Sequence, residues 1–181
     1  DLTSLPNQYM TALTVLAQAG YARSDDASEL SDADKLQAIE IALRTEAALN
    51  AISAIASAVP GAVPGVGTVI EVEDLSLAKA AGARFAVSPG YAADLVAAAA
   101  DLGLPYLPGI ATASEAMAAQ RAGLRCLKLF PAEAMGGAKT LVALAGPYPR
   151  LIFCPTGGIG RNNAGDYLAL GNVRCVGGSW V

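Results

Sequence analysis

Short apolar runs alternate with longer alanine-rich stretches along most of the chain. The short runs have the length and alternation of β-strands, whereas the stretches between them repeat apolar residues at the helical period. We predict eight strands, beginning near Ala12, Ala38, Ala62, Arg84, Pro105, Cys126, Leu151 and Val173. We predict helices over residues 47–59, 72–81, 92–102, 113–122 and 137–145. This order of elements is typical of repeated strand-helix units and a parallel sheet.

The spacing of the predicted strands favours one architecture. Strand starts recur about every 23 residues, near the compact end of the range for a (β/α)8 barrel. An open, doubly wound sheet is the alternative, but the G-x-G-x-x-G fingerprint that usually follows the first strand of such sheets is missing. We therefore expect an α/β protein in which residues 1–181 form a single (β/α)8 TIM barrel domain.

The two ends of the chain fit this pattern less well. Residues 20–37 are acidic and carry few apolar positions, so the first strand-helix unit is expected to be atypical. The sequence given ends at Val181, directly after the predicted eighth strand. We therefore expect no final helix within these residues.

Composition limits the partners of the chain. The 181 residues are 54% hydrophobic and 15% charged, with a formal net charge of −4. Because there is no basic block, we expect no nucleic-acid or membrane partner, and any bound phosphate should belong to a small ligand. No apolar run approaches the roughly 20 residues that span a bilayer, and the first residues lack the basic and apolar regions of a signal peptide.

The cysteine and histidine content narrows the compartment and the chemistry. Cys126, Cys154 and Cys175 lie inside apolar, strand-like runs, so we expect buried thiols in a reducing, cytoplasmic compartment. Histidine is absent, which excludes serine-histidine and cysteine-histidine catalysis and removes the commonest zinc ligand. Chemistry must therefore come from lysine, glutamate, arginine or hydroxyl groups.

Alternation along two predicted strands sends charged side chains toward the barrel axis. In a barrel, one face of each strand meets the helices and the other meets the interior. The side chains predicted to face the helices are Ile39, Ile41, Leu43, Leu127 and Leu129. Glu40 and Arg44 are then inward on one strand, and Cys126, Lys128 and Phe130 are inward on the other.

A lysine flanked by two leucines requires an explanation, because lysine is almost never buried without a partner. Lys128 could end its strand in solvent, or it could pair with Glu40 for structural reasons. Alternatively, removal from water favours the uncharged amine, which can attack a ketone and form an iminium. Glu40 would then carry protons to and from the bound intermediates.

Glycine pairs follow the last two predicted strands, in C-P-T-G-G-I-G (residues 154–160) and C-V-G-G-S-W (residues 175–180). Barrel enzymes often bind phosphate at these turns, because glycine backbones let amide N–H groups approach the oxygens. Ser179 follows the second pair. Elsewhere, Thr68 is a candidate ligand contact because we assign it inward parity, and Phe130 could flank a substrate as well as pack.

Seven motifs from residue 38 onward resemble those of a known family. They are I-E-I-A-L-R-T-E (39–46), G-V-G-T-V (65–69), F-A-V-S-P-G (85–90), L-P-G-I-A-T (107–112), K-L-F-P-A-E (128–133), F-C-P-T-G-G-I (153–159) and G-G-S-W (177–180). In order and spacing, the chain is similar to the 2-keto-3-deoxy-6-phosphogluconate (KDPG) aldolases, a family that includes 4-hydroxy-2-oxoglutarate aldolase activity.

The resemblance implies a (β/α)8 barrel, usually a homotrimer, acting in the Entner-Doudoroff pathway by a Schiff-base (class I) mechanism that needs no metal or other cofactor. Its substrate would be a phosphorylated 2-keto-3-deoxy sugar acid, which is cleaved to pyruvate and glyceraldehyde 3-phosphate. The preference between this substrate and 4-hydroxy-2-oxoglutarate stays open.

The resemblance also implies roles for individual residues. Lys128 matches the Schiff-base lysine, and Glu40 matches the general acid and base. Arg44 and Thr68 match the positions that hold the pyruvyl carboxylate. The residues matching the lining of that pocket are Pro89 and Phe130. The residues matching the surroundings of the phosphate are Thr156, Gly157, Gly158, Gly178 and Ser179.

Two other functions stay open at this point. A phosphate-binding barrel of this size could instead be an isomerase or synthase. Such an enzyme would not catalyse deuterium exchange at the methyl group of pyruvate. The atypical N-terminal region also leaves a non-catalytic barrel scaffold possible, which would show neither turnover nor pyruvate binding.

Overall fold

The computed structural model describes residues 10–13, 38–59 and 61–178. The strands are β1 (Met10–Leu13), β2 (Ala38–Ala42), β3 (Val63–Gly67), β4 (Ala86–Val87), β5 (Tyr106–Leu107), β6 (Gly109–Ile110), β7 (Cys126–Leu129), β8 (Ile152–Pro155) and β9 (Gly177–Gly178). The helices are α1 (Ala48–Ala58), α2 (Val72–Ala80), α3 (Ala93–Asp101), α4 (Ala113–Arg121), α5 (Ala138–Ala145) and α6 (Ala164–Leu168). A 3-10 turn covers Glu133–Met135.

The strands form the closed ring of a (β/α)8 barrel. One sheet has the order β5-β4-β3-β2-β1-β9 and the other has the order β6-β7-β8. The two are continuous at β5 and β6, which only Pro108 separates. At the other junction, parallel bridges join Phe153 to Val173 and Thr156 to Gly177. The closed ring excludes the open doubly wound sheet.

The five predicted helices are confirmed, and each boundary agrees within one residue. They form because apolar residues recur on one face of each and pack against the strands. In α1, the buried side chains are Ala48, Ala51, Ile52 and Ile55. At α4, Thr112 and Glu115 form a capping box that satisfies free N–H groups of the first turn. The short helix α6 was not predicted.

Several strand predictions need correction. The fifth strand is divided by Pro108, which has no N–H to donate to a neighbouring strand. The eighth is the short β9, while Val173 makes only an isolated bridge. The ring is also not entirely parallel, because β1 pairs antiparallel with both β2 and β9. Alternation has the same period in either direction, so it could not reveal this orientation. The predicted atypical helix over residues 20–37 lies outside the described residues.

Apolar side chains occupy two layers between strands and helices, and a third cluster fills the barrel interior. The helix-facing predictions for Ile39, Ile41, Leu43, Leu127 and Leu129 are confirmed, because all five belong to or pack against the outer layers. The interior cluster consists of Val63, Phe85, Val87, Cys154 and Cys175, with Leu107 packed against it. This cluster is continuous with the strand faces that carry Glu40 and Lys128.

Candidate active site

Glu40 and Lys128 are two of the few buried polar side chains of the described residues. Glu40 is 4% exposed and Lys128 is 6% exposed. They come from opposite parts of the ring, since Glu40 pairs with Gly65 of β3 and Lys128 pairs with Gly109 of β6 and Cys154 of β8. The alternative in which Lys128 reaches solvent is therefore wrong.

The carboxyl group of Glu40 is not fully satisfied by its surroundings. Its Oε2 is buried and has no hydrogen-bond partner among the described residues. Burial raises the pKa of Glu40 above its usual value of 4.5, although the positive charges of Lys128 and Arg44 act in the opposite direction. A carboxyl group with a raised pKa, close to an amine, is suited to moving protons.

Close packing against β3 fixes the position of this carboxyl group. A Cβ added to Gly67 would overlap Oε1 of Glu40 and lie 2.6 Å from its Cγ. The Glu40 side chain therefore occupies the space that any other residue at position 67 would need. The motif G-V-G-T-V contained this glycine, but alternation within one strand could not show what it faces on the next.

The amine of Lys128 lies against an aromatic ring. Its Nζ is 5.0 Å from the centroid of Phe130, within the range of a cation-π contact. Phe130 also borders the loop after β8, because a Cβ on Gly157 would be 3.4 Å from its ring. Phe130 thus lies between the lysine and the first glycine pair.

Arg44 and Thr68 lie together beyond the ends of β2 and β3. The Arg44 Nε donates to Thr68 Oγ1 at 3.4 Å, and Arg44 is close enough to Glu40 to affect its pKa. Thr68 has φ 59 and is the one non-glycine residue with positive φ among those described. A β-branched residue rarely adopts this conformation, which costs about 1–3 kcal/mol and persists where the surroundings enforce it.

The inward parity assigned to Thr68 is wrong. The residues of β3 that face the interior are the odd-numbered ones, since Val63 belongs to the interior cluster and Gly67 faces Glu40. Thr68 follows the strand end, where its left-handed backbone replaces the alternation of the strand. The left-handed backbone, and not the alternation of β3, therefore directs its hydroxyl toward Arg44.

Pro89 lies next to the strand that pairs with Lys128. A Cβ on Gly109, which is opposite Lys128, would overlap the Pro89 carbonyl. The preceding Ser88 is 1% exposed and donates to the Gly90 carbonyl at 2.6 Å, which fixes this turn. The backbone of Pro89 is therefore packed against the strand that neighbours Lys128.

The first glycine pair forms a loop in a left-handed backbone conformation. Gly157 has φ 102 and Gly158 has φ 78, which glycine adopts without strain. Neither N–H group makes a hydrogen bond of normal geometry among the described residues, although the bridge between Thr156 and Gly177 turns the Gly157 N–H toward the Gly177 carbonyl. Thr156 is 8% exposed and packs against Gly177, so the two predicted phosphate turns meet at this point. Gly178 is buried beside this junction, whereas Ser179 lies outside the described residues.

The cysteine prediction is partly wrong. Cys154 and Cys175 are buried in the interior cluster, but Cys126 is exposed. Cys126 begins β7, at the amino-terminal end of the barrel. The neighbouring thiol of Cys175, together with burial, raises the pKa of Cys154 well above its usual value.

Two features are missing from the described part of the chain. None of its helices has both the length and the apolar character needed to cross a membrane. Within residues 10–13, 38–59 and 61–178, no three or more acidic or cysteine side chains gather in a way that suits a metal ion.

Comparison with known proteins gives one consistent result. The family model described as "Aldolase: KDPG and KHG aldolase" matches residues 7–181, which extends the similarity beyond the motifs that begin at residue 38. The 2-dehydro-3-deoxy-phosphogluconate aldolase of Dickeya dadantii (strain 3937) is 51% identical over 146 residues, 81% of this chain and 68% of the relative. The KHG/KDPG aldolase of Escherichia coli (strain K12) is 50% identical over the same shares.

Solved structures agree with the sequence relatives. The KDPG aldolase of Zymomonas mobilis ZM4, crystallised with 3-phosphoglycerate, superposes with a TM-score of 0.78 at 44% identity, over 82% of this chain and 70% of that one. The KDPG aldolase of Legionella pneumophila, in which pyruvate was captured at low pH as a covalent carbinolamine, gives 0.77 at 43% identity, over 79% and 69%.

Proposed function

This chain belongs to the family of KDPG and KHG aldolases, and from that membership we propose that it is a Schiff-base aldolase that cleaves 2-keto-3-deoxy-6-phosphogluconate to pyruvate and glyceraldehyde 3-phosphate. The observation that carries the proposal is the burial of Lys128 beside Glu40, whose Oε2 has no partner. An unpaired buried oxygen is costly, and a substrate hydroxyl in the site would satisfy it.

In this proposal, the neutral amine of Lys128 attacks the C2 ketone of the substrate. Glu40 donates a proton to the carbinolamine oxygen, which leaves as water and gives the iminium. As a carboxylate, Glu40 then removes the proton of the C4 hydroxyl, so that the C3–C4 bond breaks and its electrons move into the iminium. The resulting enamine is protonated at C3, and water releases pyruvate.

The binding groups divide between the two ends of the substrate. Arg44 and Thr68 hold the planar carboxylate, for which a guanidinium is well suited. Pro89 and Phe130 line the pocket around the pyruvyl carbons. The groups proposed for the phosphate are Thr156, Gly157, Gly158, Gly178 and Ser179. The carbinolamine trapped in the Legionella relative supports this chemistry for the family.

The proposal includes the setting of the enzyme. We infer a single barrel domain over residues 1–181, forming a homotrimer in the cytoplasm and acting in the Entner-Doudoroff pathway. Three exposed apolar side chains support a subunit interface, namely Ile70 between β3 and α2, and Val72 and Leu77 on α2. Light scattering of the purified protein tests the trimer.

Reductive trapping tests the mechanism. Borohydride added in the presence of pyruvate should attach the reduced pyruvyl group to Lys128, as found by peptide mass spectrometry. Lys128→Arg should abolish the adduct, while Lys139→Arg, an exposed lysine on α5, should retain it. An unmodified Lys128 peptide in the wild-type protein would reject the proposal.

A further inference from the structure

Backbone hydrogen bonds join the turn after β7 to the first glycine pair. The Ala132 N–H donates to the Thr156 carbonyl at 2.8 Å, and the Glu133 N–H donates to the Gly157 carbonyl at 3.1 Å. These carbonyls belong to the same peptide groups as the N–H groups of Gly157 and Gly158. The sequence motif K-L-F-P-A-E ends in Glu133, for which the sequence alone gave no role.

The Glu133 side chain packs on the same loop and is held at its far end. A Cβ on Gly158 would lie 2.6 Å from Glu133 Cγ and 2.7 Å from its Cβ. The Tyr167 hydroxyl donates to Glu133 Oε1. Tyr167 is 1% exposed and belongs to one of the apolar layers between the strands and the helices, so its ring has a fixed position.

The loop is also held from the start of α6. The Asn163 Nδ2 donates to the Gly158 carbonyl at 3.2 Å, and the Gly160 N–H donates to Asn163 Oδ1 at 2.8 Å. Glu133 therefore lies on one side of the glycine pair and α6 on the other. The contact between Glu133 and Tyr167 closes this arrangement.

We propose that Glu133 and Tyr167 are positioning residues that hold the Gly157 and Gly158 amides in the geometry that binds the substrate phosphate. The inference rests on the proposed function only in taking phosphate as the ligand. Glu133 itself does not contact the phosphate, since its side chain is packed on Gly158 and directed to Tyr167. Burial and the contact with Glu133 raise the pKa of Tyr167, so its hydroxyl remains a donor across the neutral range.

Hydroxyl deletion at Tyr167 tests this inference directly. In Tyr167→Phe, the affinity for inorganic phosphate, followed through the Gly157 and Gly158 amide signals by NMR, should fall about tenfold, because Glu133, which packs on the loop, loses its hydrogen bond to Tyr167. The yield of the borohydride-trapped pyruvate adduct should not change. Tyr148→Phe removes a hydroxyl that donates to the Ala113 carbonyl at 2.7 Å outside the site, and it should alter neither quantity.

Substitutions of Glu133 supply the second arm. Glu133→Gln keeps an acceptor oxygen and should bind phosphate within about threefold of wild type, whereas Glu133→Ala should lose as much as Tyr167→Phe. Unchanged phosphate affinity in both Tyr167→Phe and Glu133→Ala overturns the inference, and so does an equal loss of phosphate affinity and pyruvate adduct. A wild-type protein that binds phosphate but forms no pyruvate adduct refutes the aldolase chemistry. In that case, the phosphate affinities of the wild type, Tyr167→Phe and Glu133→Ala still test the role of Glu133 and Tyr167.

Discussion

Glu40 combines two properties that are seldom found together in a side chain of the barrel interior. It is almost completely removed from solvent, and one of its oxygens has no hydrogen-bond partner. Burial dominates the shift of its pKa, even though Lys128 and Arg44 favour the ionised form. The protonation of this residue should therefore control the rate of cleavage.

The pH dependence of cleavage should show the raised pKa of Glu40. The carboxylate must remove the C4 proton, and it predominates only above the pKa in the folded enzyme. The acid limb of kcat/KM should therefore be centred above pH 4.5, the ordinary value. Glu40→Gln should be about 100- to 10,000-fold slower and should lack this limb. A limb centred at or below the ordinary value would contradict the assignment.

Gly67 should be as sensitive to substitution as a residue that contacts the substrate. In Gly67→Ala, the new methyl group takes the space of the Glu40 carboxyl group, and a displacement of about 1 Å costs on the order of 100-fold in kcat. Gly146→Ala is the matched control, because a Cβ there meets nothing within 4 Å. Similar kinetics for both variants would show that the position of Glu40 is not set by β3.

At the scale of elements, the ends of β2 and β3 are where local strain and ligand binding coincide. Thr68 leaves β3 in a left-handed conformation and places its hydroxyl next to Arg44. We infer that this strain is retained because it brings two groups to the pyruvyl carboxylate.

Two substitutions of Thr68 separate the strain from the hydroxyl. Thr68→Gly removes a backbone strain of about 1–3 kcal/mol from the folded state. Glycine also makes the unfolded chain more flexible, which destabilises the folded state by about 0.5–1 kcal/mol. The strain is the larger effect, so the free energy of unfolding should rise. Thr68→Ala keeps the strained Cβ and should give no such gain. Both should weaken pyruvate binding equally. Denaturant unfolding and pyruvate titration measure the two effects, and a loss of stability in Thr68→Gly would refute the account.

The sequence predicted those parts of the site that depend on alternation within one strand. Lys128 and Glu40 were predicted to be inward because apolar residues on both sides of each require the opposite face. Thr68 could not be placed in this way, because it follows the end of β3. The direction of β1 and the contact of Glu133 with Tyr167, 34 residues away, depend on how separate elements meet. The resemblance supplied the role of Pro89, which turn chemistry alone would explain equally well, whereas the glycine pairs were assigned to phosphate from their place after the last two predicted strands.

For the whole molecule, the critical junction is the one between β8 and β9. It consists of short bridges, and Thr156 and Gly177 form one of them. Because Thr156 also belongs to the proposed phosphate site, closure of the ring and binding of the substrate depend on the same few residues.

Gly177→Ala should destabilise the barrel at this junction. The added Cβ would overlap Thr156 Oγ1 and lie 2.9 Å from its Cγ2, and such overpacking costs about 1–3 kcal/mol. Gly171→Ala, with open space around its Cβ, is the control. Thr156→Ala in the same chain should recover part of the loss in a double-mutant cycle measured by urea unfolding. Additive losses would show that the two residues do not compete for space.

The packed interior gives the proposed enzyme a blind-ended site. Val63 and Leu107 each precede by two residues the glycines that pair with Glu40 and Lys128, so the apolar cluster extends toward the amino-terminal ends of the strands, away from the glycine pairs. Both products must consequently leave through one mouth. The aldehyde, nearer that mouth, departs first, and pyruvate, still joined to the lysine at the closed end, departs second. Steady-state inhibition by the two products should follow this ordered release.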